Sequence, residues 1–343
     1  MKAIVVHQAQ DLRIEDREAG APGPGEVAIA IRRGGICGSD LHYYRHGGFG
    51  TVKLKQPMVL GHEVAGEITA TGSGVVSVKT GDIVAVNPSR PCGHCIYCGK
   101  GQQNQCLDML FYGSAMRMPH VQGAFQQSLV ALASQCHKVD PSVSLEEAAF
   151  AEPFAVTLHA IVRAGSLAGK RLLVTGCGPI GTLAIVAARA HGAQEIVTTD
   201  VSDYTLGIAR SVGADHTINV ATDADALAPY RTNKGSFDVM VEASGNETAL
   251  RSGLDVLRPR GIVVQLGLGG DVSIAQNLIV SKEIEIRGSF RFHEEFALAV
   301  DMINRRRVNL MPLLTGVLPL GDAEKAFQLA SDRSQAMKVQ IAF

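Results

Sequence analysis

The sequence predicts a two-lobed α/β chain, a β-rich lobe interrupted by a parallel-sheet lobe, and three observations point there. Residues 1 to about 150 carry short β-branched runs separated by Gly- and Pro-rich turns. From Arg171 onward, strand-like runs alternate with helical periods, the pattern of crossover connections and a parallel sheet. After Gly288 the alternation stops. A chain of 343 residues with 46% apolar content is long enough to bury two cores.

The elements follow in order. Met1 to Val6 reads as a short strand rather than a signal peptide, because no apolar core and cleavage site follow it. Val27–Ile31, Val64–Ala70 and Asp82–Val86 are expected strands, with turns at Pro22–Gly25 and Thr80–Asp82. Leu172–Val174 leads into a helix over Pro179–His191, with Ile180, Leu183, Ala184 and Ala187 on one face. Glu195–Thr199 is the next strand, followed by a helix through Leu206 and Ala209. His216–Val220, Asp238–Glu242 and Ile262–Leu266 continue the series. The residues beyond Gly288 are too few for a domain of their own, so they are expected to return to the first lobe.

Lys and Arg total 32 against 33 acids, which leaves no electrostatic reason to expect nucleic acid or an anionic membrane as partner. No apolar stretch approaches the about 20 residues of a membrane span. A cytoplasmic location is the expectation. Of seven cysteines, Cys92, Cys95, Cys98 and Cys106 fall together and Cys37, Cys136 and Cys177 stand apart. An odd count with CxxC clustering argues for metal ligation rather than disulfides.

Gly176-Cys177-Gly178-Pro179-Ile180-Gly181 matches GxGxxG, follows an expected strand and opens an expected helix. Asp200 ends the next strand. Gly176 allows the tight turn, Gly178 admits a pyrophosphate to the backbone, and Gly181 lets helix and strand pack closely. Pro179 and Ile180 open the helix, whose N-terminus offers free N–H groups to phosphates. Asp200 would accept from the adenosine ribose hydroxyls and repel a 2′-phosphate, which favours NAD over NADP. Cys177 is expected to be a small apolar filler.

Cys92, Cys95, Cys98 and Cys106 follow C-x2-C-x2-C-x7-C and can close a tetrahedron of thiolates around zinc. With every position filled by protein, such a site is structural. Cys37, His62 and Glu63 form a second constellation, from two segments that both end beside glycines. Glu152, in Ala151-Glu152-Pro153, is a candidate fourth group. Thiolate, imidazole and carboxylate suit zinc, and three protein ligands with one exchangeable position is how catalytic zinc is held. Taken singly, each also reads as a buried thiol, a turn histidine or a helix-start charge.

Gly61-His62-Glu63-x2-Gly66-x5-Gly72-x2-Val75 resembles the signature of the zinc-containing medium-chain dehydrogenase/reductase family. The cysteine loop, GxGxxG and Asp200 follow in that family's order. The resemblance implies a GroES-like catalytic domain at 1–151 and 289–343, and a Rossmann dinucleotide-binding domain at 152–288. It implies two zinc ions per chain, NAD, and a homotetramer or homodimer. Cys37, His62 and either Glu63 or Glu152 would hold the reactive zinc. Cys37 to Tyr44, Ala151-Glu152-Pro153 and Gly288 to Phe292 are most similar to the polyol dehydrogenase branch.

Arg33 to Tyr44, Asn87-Pro88-Ser89 and Phe111 to Met116 resemble more closely the members of that branch that oxidise a sugar acid. This resemblance implies oxidation of a secondary hydroxyl, L-idonate to 5-keto-D-gluconate, with sorbitol, xylitol or L-iditol as alternative substrates. Ser39 and His42 match the family's proton-relay positions, Tyr43 a pocket-lining position and Arg291 a position that orients substrate oxygens. A substrate carboxylate would need a cation, for which Arg291, Arg45, Lys53 and Lys55 are candidates. A non-catalytic nicotinamide-binding protein is the rival of another class. A zinc-stabilised interaction module is a third reading, disfavoured by a whole dinucleotide domain.

Overall fold

The computed structural model describes residues 1–223 and 225–343. The spine of the first lobe is the strand Glu26–Gly35, whose Val27, Ile29 and Ile31 are buried. It pairs antiparallel with Glu63–Thr71 on one side and with Lys338–Ala342 on the other. Ile83–Val86, Cys136–Lys138, Ser128–Leu132 and Leu314–Pro319 complete a seven-stranded sheet. The expected strands at Val27–Ile31 and Val64–Ala70 lie inside observed ones, and the third begins one residue late, at Ile83.

The register of this sheet is what matters for function. Gly35 pairs with Glu63, and on its other side with Gln340. The chain leaves one strand at Gly35 and enters the next at Glu63, so Cys37 and His62 emerge side by side at one end of the sheet. A Cβ on Gly35 would overlap the Glu63 carboxylate. Glycine at this position therefore makes room for a buried acid.

The second lobe carries six parallel strands in the spatial order His216–Asn219, Glu195–Asp200, Arg171–Thr175, Phe237–Glu242, Leu257–Gln265 and Glu285–Gly288. The winding reverses between Arg171–Thr175 and Phe237–Glu242, the switch point where such sheets bind ligands at their carboxyl ends. The helix Pro179–Ala190 starts there, with proline in its first turn where no N–H is needed. Leu183, Ala184 and Ala187 are buried as expected, whereas Ile180 is only half-buried beside the glycine turn.

The helix Ala151–Ala164 stands at the junction and carries Glu152 in its first turn. Phe154, Leu158 and Ile161 share a core with Leu183 and Ala187 of the dinucleotide-side helix and with Phe296 and Ile303 of the helix Glu295–Asn304. The chain after Gly288 thus first adds a helix to this core, then reaches the first lobe's sheet through Leu314–Pro319 and Lys338–Ala342. Among the described residues no helix is long and apolar enough to cross a membrane.

Substituting Gly35→Ala should overpack the contact with Glu63 and destabilise the protein by about 1–3 kcal/mol, read as a lower urea midpoint. An unchanged midpoint would show that the two strands do not approach as described.

Candidate active site

Cys37 occupies the N-cap of the helix Gly38–His46, where the backbone is extended and its N–H is free to bond a side chain. Asp40, fully buried one turn later, supplies that bond: its Oδ2 accepts from the Cys37 N–H at 3.0 Å. Its Oδ1 accepts from the Gly61 N–H at 3.1 Å and stands 3.9 Å from His62 Nδ1. One carboxylate therefore ties together the two segments that carry Cys37 and His62.

Cys37, His62 and Glu63 present ligand atoms that all lie within 4.8 Å of one another. Burial pushes the Cys37 thiol up to about 12, and the Glu63 charge acts in the same direction. His62 Nδ1 is buried with no hydrogen-bond partner. A protonated thiol, an unpaired imidazole nitrogen and a carboxylate facing one point are poorly satisfied by each other. A divalent cation with mixed sulfur, nitrogen and oxygen preference satisfies all three, and zinc fits that donor set.

Two further charges sit inside. Lys338 Nζ donates to Glu63 Oε1 at 2.6 Å, ion-pairs with Oε2, and donates to the Ile36 carbonyl at 3.1 Å. Burial alone would lower the lysine, but the charges of Glu63 and Cys37 outweigh it and hold it cationic. Glu152 is buried outside the three-ligand group, and its carboxyl is pushed up to about 8 by burial, with His62 pulling the other way.

Ser39 and His42 are three positions apart on one helix, hence on one face. Ser39 lies against the Cys37 sulfur. His42 is held below its usual value by partial burial and then by the charges of His46, Arg333 and Arg45. Its ring is tilted against Phe49 at 5.9 Å. Tyr43, 2% exposed, accepts from the Ala115 N–H at 3.0 Å with its hydroxyl oxygen, which also lies against the Ser114 side chain.

A cavity of about 250 Å³ flanks the metal-ligand group, lined among others by Phe111, Ser114, Met116, Arg117 and Arg291. Phe111 links the two, its ring 5.4 Å from that of His62. Arg291 adopts a left-handed backbone (φ 55°), a conformation costing of order 1 kcal/mol for a residue with a Cβ. Its guanidinium lies over Phe111 at 4.2 Å and Phe290 at 4.9 Å, and burial lowers it to about 10. No carboxylate of the described residues pairs with it. Of the other expected cations, Arg45, Lys53 and Lys55 are exposed and absent from the cavity wall. Their sequence proximity to Tyr43 does not carry them inward because they ride on the helix end and a surface hairpin.

The four cysteines of the loop also converge, with their sulfurs within 4.8 Å and Cys92 and Cys98 at 4.0 Å. Thiolates ~2.3 Å from a central zinc stand about 3.8 Å apart, so the spacing fits a tetrahedral ion. No disulfide joins them. N–H groups of Cys92 and Asp108 point at the Cys106 sulfur, and the amides of Cys98 and then Leu107 lower the Cys95 thiol to about 6. Asn104, on the same loop, donates to the Phe290 carbonyl at 3.0 Å and so buttresses the segment carrying Arg291.

At the glycine turn, Gly176 is left-handed (φ 85°) and a Cβ there would stand 2.8 Å from Ser244. Gly178 caps the helix, and a Cβ on Gly181 would overlap the Gly176 carbonyl. Asp200 lies against this turn: its Oδ2 accepts from the Cys177 N–H at 2.5 Å and its Oδ1 from Val201 and Ser202. Cys177 is small and buried, as expected, but its sulfur stands 2.8 Å from the Thr198 hydroxyl, so it is a hydrogen-bonded thiol rather than a purely apolar filler.

Asp40, Lys338, Phe111 and Ser114 stand at this site without being among the expected site residues, although Phe111 and Ser114 lie in a segment that carries the resemblance. Asp40 stood inside a quoted segment, one helical turn after a candidate ligand, and that spacing was its one available signal. Lys338 had none, because only strand pairing brings it to Glu63.

Residues 23–141 match the alcohol dehydrogenase GroES-like domain family and residues 179–305 the zinc-binding dehydrogenase family. The chain is 44% identical over 316 residues to the L-idonate 5-dehydrogenase (NAD(P)(+)) of Escherichia coli K12, covering 92% of this chain and 91% of that protein. It is 36% identical to the sorbitol dehydrogenase of Gallus gallus, covering 99% and 95%. The crystal structure of the Escherichia coli L-idonate 5-dehydrogenase superposes with a TM-score of 0.96 at 42% identity, over 100% of this chain and 98% of that one.

Replacing Lys338 by Met should leave Glu63 buried and unpaired, costing about 3–5 kcal/mol in urea unfolding. Adding Glu63→Gln to that variant should recover part of the loss. Additive losses in the double variant would show that the two side chains do not interact.

Proposed function

The chain belongs to the zinc-containing medium-chain dehydrogenase family, and within it we propose an NAD-linked oxidation of a sugar acid, L-idonate to 5-keto-D-gluconate, or the reverse. The observation that carries the sugar-acid assignment is Arg291, a guanidinium facing the cavity wall between two aromatic rings without a carboxylate partner. An aldonate brings the missing anion, and a charge-assisted bond at a partly dry site contributes about 1.5–3 kcal/mol. The 44% identity to an L-idonate 5-dehydrogenase supports the same substrate. The 36% identity to a sorbitol dehydrogenase keeps neutral polyols as the second reading.

When bound, zinc would supply Lewis acidity toward the substrate hydroxyl, and a nicotinamide dinucleotide would supply hydride-accepting capacity. Cys37, His62 and Glu63 are the residues proposed to hold the reactive metal, since their ligand atoms already lie within 4.8 Å of each other. Glu152, buried and raised to about 8, is placed to exchange a proton or a hydrogen bond beside that group rather than within it. Arg291 orients substrate oxygens from the cavity wall, and Tyr43 supports the Ser114–Ala115 part of that wall from behind. Ser39, against the Cys37 sulfur, takes the hydroxyl proton, and His42 on the next turn passes it to solvent. Cys92, Cys95, Cys98 and Cys106 hold a second, structural zinc that braces Asn104 and through it the Arg291 segment.

Asp200 favours NAD, because its carboxylate faces the glycine turn and Val201, Ser202 and Asp203 add no cation for a 2′-phosphate. Self-association as a dimer or tetramer is supported by the strand Glu285–Gly288, the last strand of its sheet, with Ile286 half-exposed on it.

At fixed pH with NAD, kcat/KM for L-idonate should exceed that for sorbitol at least tenfold, the ratio set by the Arg291 contribution. Equal or higher efficiency with sorbitol would remove the aldonate assignment. Elemental analysis should find two zinc ions per chain in the native protein. Cys37→Ser should keep one and lose dehydrogenase activity, while a Cys37→Ser protein that retains two would exclude Cys37 as a ligand.

A further inference from the structure

The dinucleotide turn Gly176 to Thr182 carries no cationic side chain of its own. In the folded protein a cation reaches it from the other lobe. Arg333 lies in the turn that precedes the strand Lys338–Ala342, and its Nη1 stands 2.9 Å from the point a Cβ on Gly178 would occupy. Any side chain at Gly178 would displace it.

Three features hold this guanidinium at the turn and leave it unpaired. The neighbouring acid, Asp332, is occupied within its own loop, accepting from the Ser334 N–H at 3.0 Å, the Ser334 hydroxyl at 2.6 Å and the Gln335 amide at 2.7 Å. Among the described residues Arg333 has no ion-pair or hydrogen-bond partner for its side chain. The loop is seated on the dinucleotide-side helix, with the Thr182 hydroxyl 3.9 Å from the Met337 sulfur and the Met337 N–H bonded to the Thr315 hydroxyl at 2.8 Å. The Arg333 charge is also close enough to His42 to favour the neutral imidazole.

We infer that Arg333 binds the pyrophosphate of the dinucleotide from across the cleft, joining the catalytic lobe to the cofactor held by the other lobe. A pyrophosphate carries two negative charges, and the helix N-terminus offers only about half a positive charge. A planar guanidinium over Gly178 supplies the remaining charge with forked geometry suited to phosphate oxygens. This deepens the reading of Gly176–Gly181 as a dinucleotide site and rests on it. Because the loop belongs to the catalytic lobe, the same contact ties cofactor occupancy to the closeness of the two lobes.

The test is binding, read by NADH fluorescence titration and by displacement of NADH with ADP-ribose or adenosine. Arg333→Met should weaken NADH and ADP-ribose about tenfold or more and leave adenosine, which lacks the pyrophosphate, within twofold. Arg333→Lys, keeping the charge, should lose less than Arg333→Met. An exposed side chain without partners should leave the urea midpoint unchanged, so a folding defect does not confuse the comparison. NADH and ADP-ribose binding within twofold of wild type in Arg333→Met overturns the inference, as does an equal loss for adenosine. Failure of the wild-type protein to bind NADH would instead sink the dinucleotide reading itself.

Discussion

Everything in the active site depends on the pairing of Gly35 with Glu63 in the first lobe's sheet. That register ends one strand and begins the next at the same level, so a thiol two residues past one end meets an imidazole one residue before the other. Slipping the pairing by one residue would turn Glu63 to the opposite face of the sheet. The absence of a side chain at Gly35 then lets the Glu63 carboxylate occupy the space between strands, and Gln340 on the far side brings Lys338 to neutralise it. Asp40 locks the arrangement by bonding the backbones of both ligand segments.

The cost of that arrangement is a concentration of buried charge. Cys37, Glu63, Glu152 and Lys338 sit within one another's fields, and only the Glu63–Lys338 pair is internally satisfied. A metal ion would relieve the rest: it would favour the thiolate that burial alone opposes and give the imidazole nitrogen a partner. The unsatisfied groups are therefore the mark of a binding site, and the same logic applies at the cavity, where the Arg291 guanidinium is buffered by aromatic faces instead of an acid.

Local chemistry was legible in the sequence wherever one short segment contains the whole device. The four-cysteine loop, the glycine turn with Pro179, and the alternation from Arg171 to Gly288 each announce themselves through spacing. Ligand types at Cys37, His62 and Glu63 were legible too, but their convergence needed the family resemblance, because strand register is a tertiary fact. Lys338 and Arg333 stayed invisible, since each acts on a partner more than 150 positions away in the chain. Lys53 and Lys55 show the converse, being near Tyr43 in sequence yet exposed, one on a short hairpin and the other just past it. The helix Glu295–Asn304 likewise joins the core of the junction helix before the chain regains the first lobe's sheet, a detour that periodicity does not encode.

Strand register brings the ligand atoms of Cys37, His62 and Glu63 within 4.8 Å of one another, as one zinc ion would need. Anomalous diffraction at the zinc edge tests it directly in crystals grown with zinc. Two peaks per chain are expected, one bounded by those three side chains and one among the four loop cysteines. A chain whose peak lies only in the cysteine loop, with zinc in excess, would contradict it.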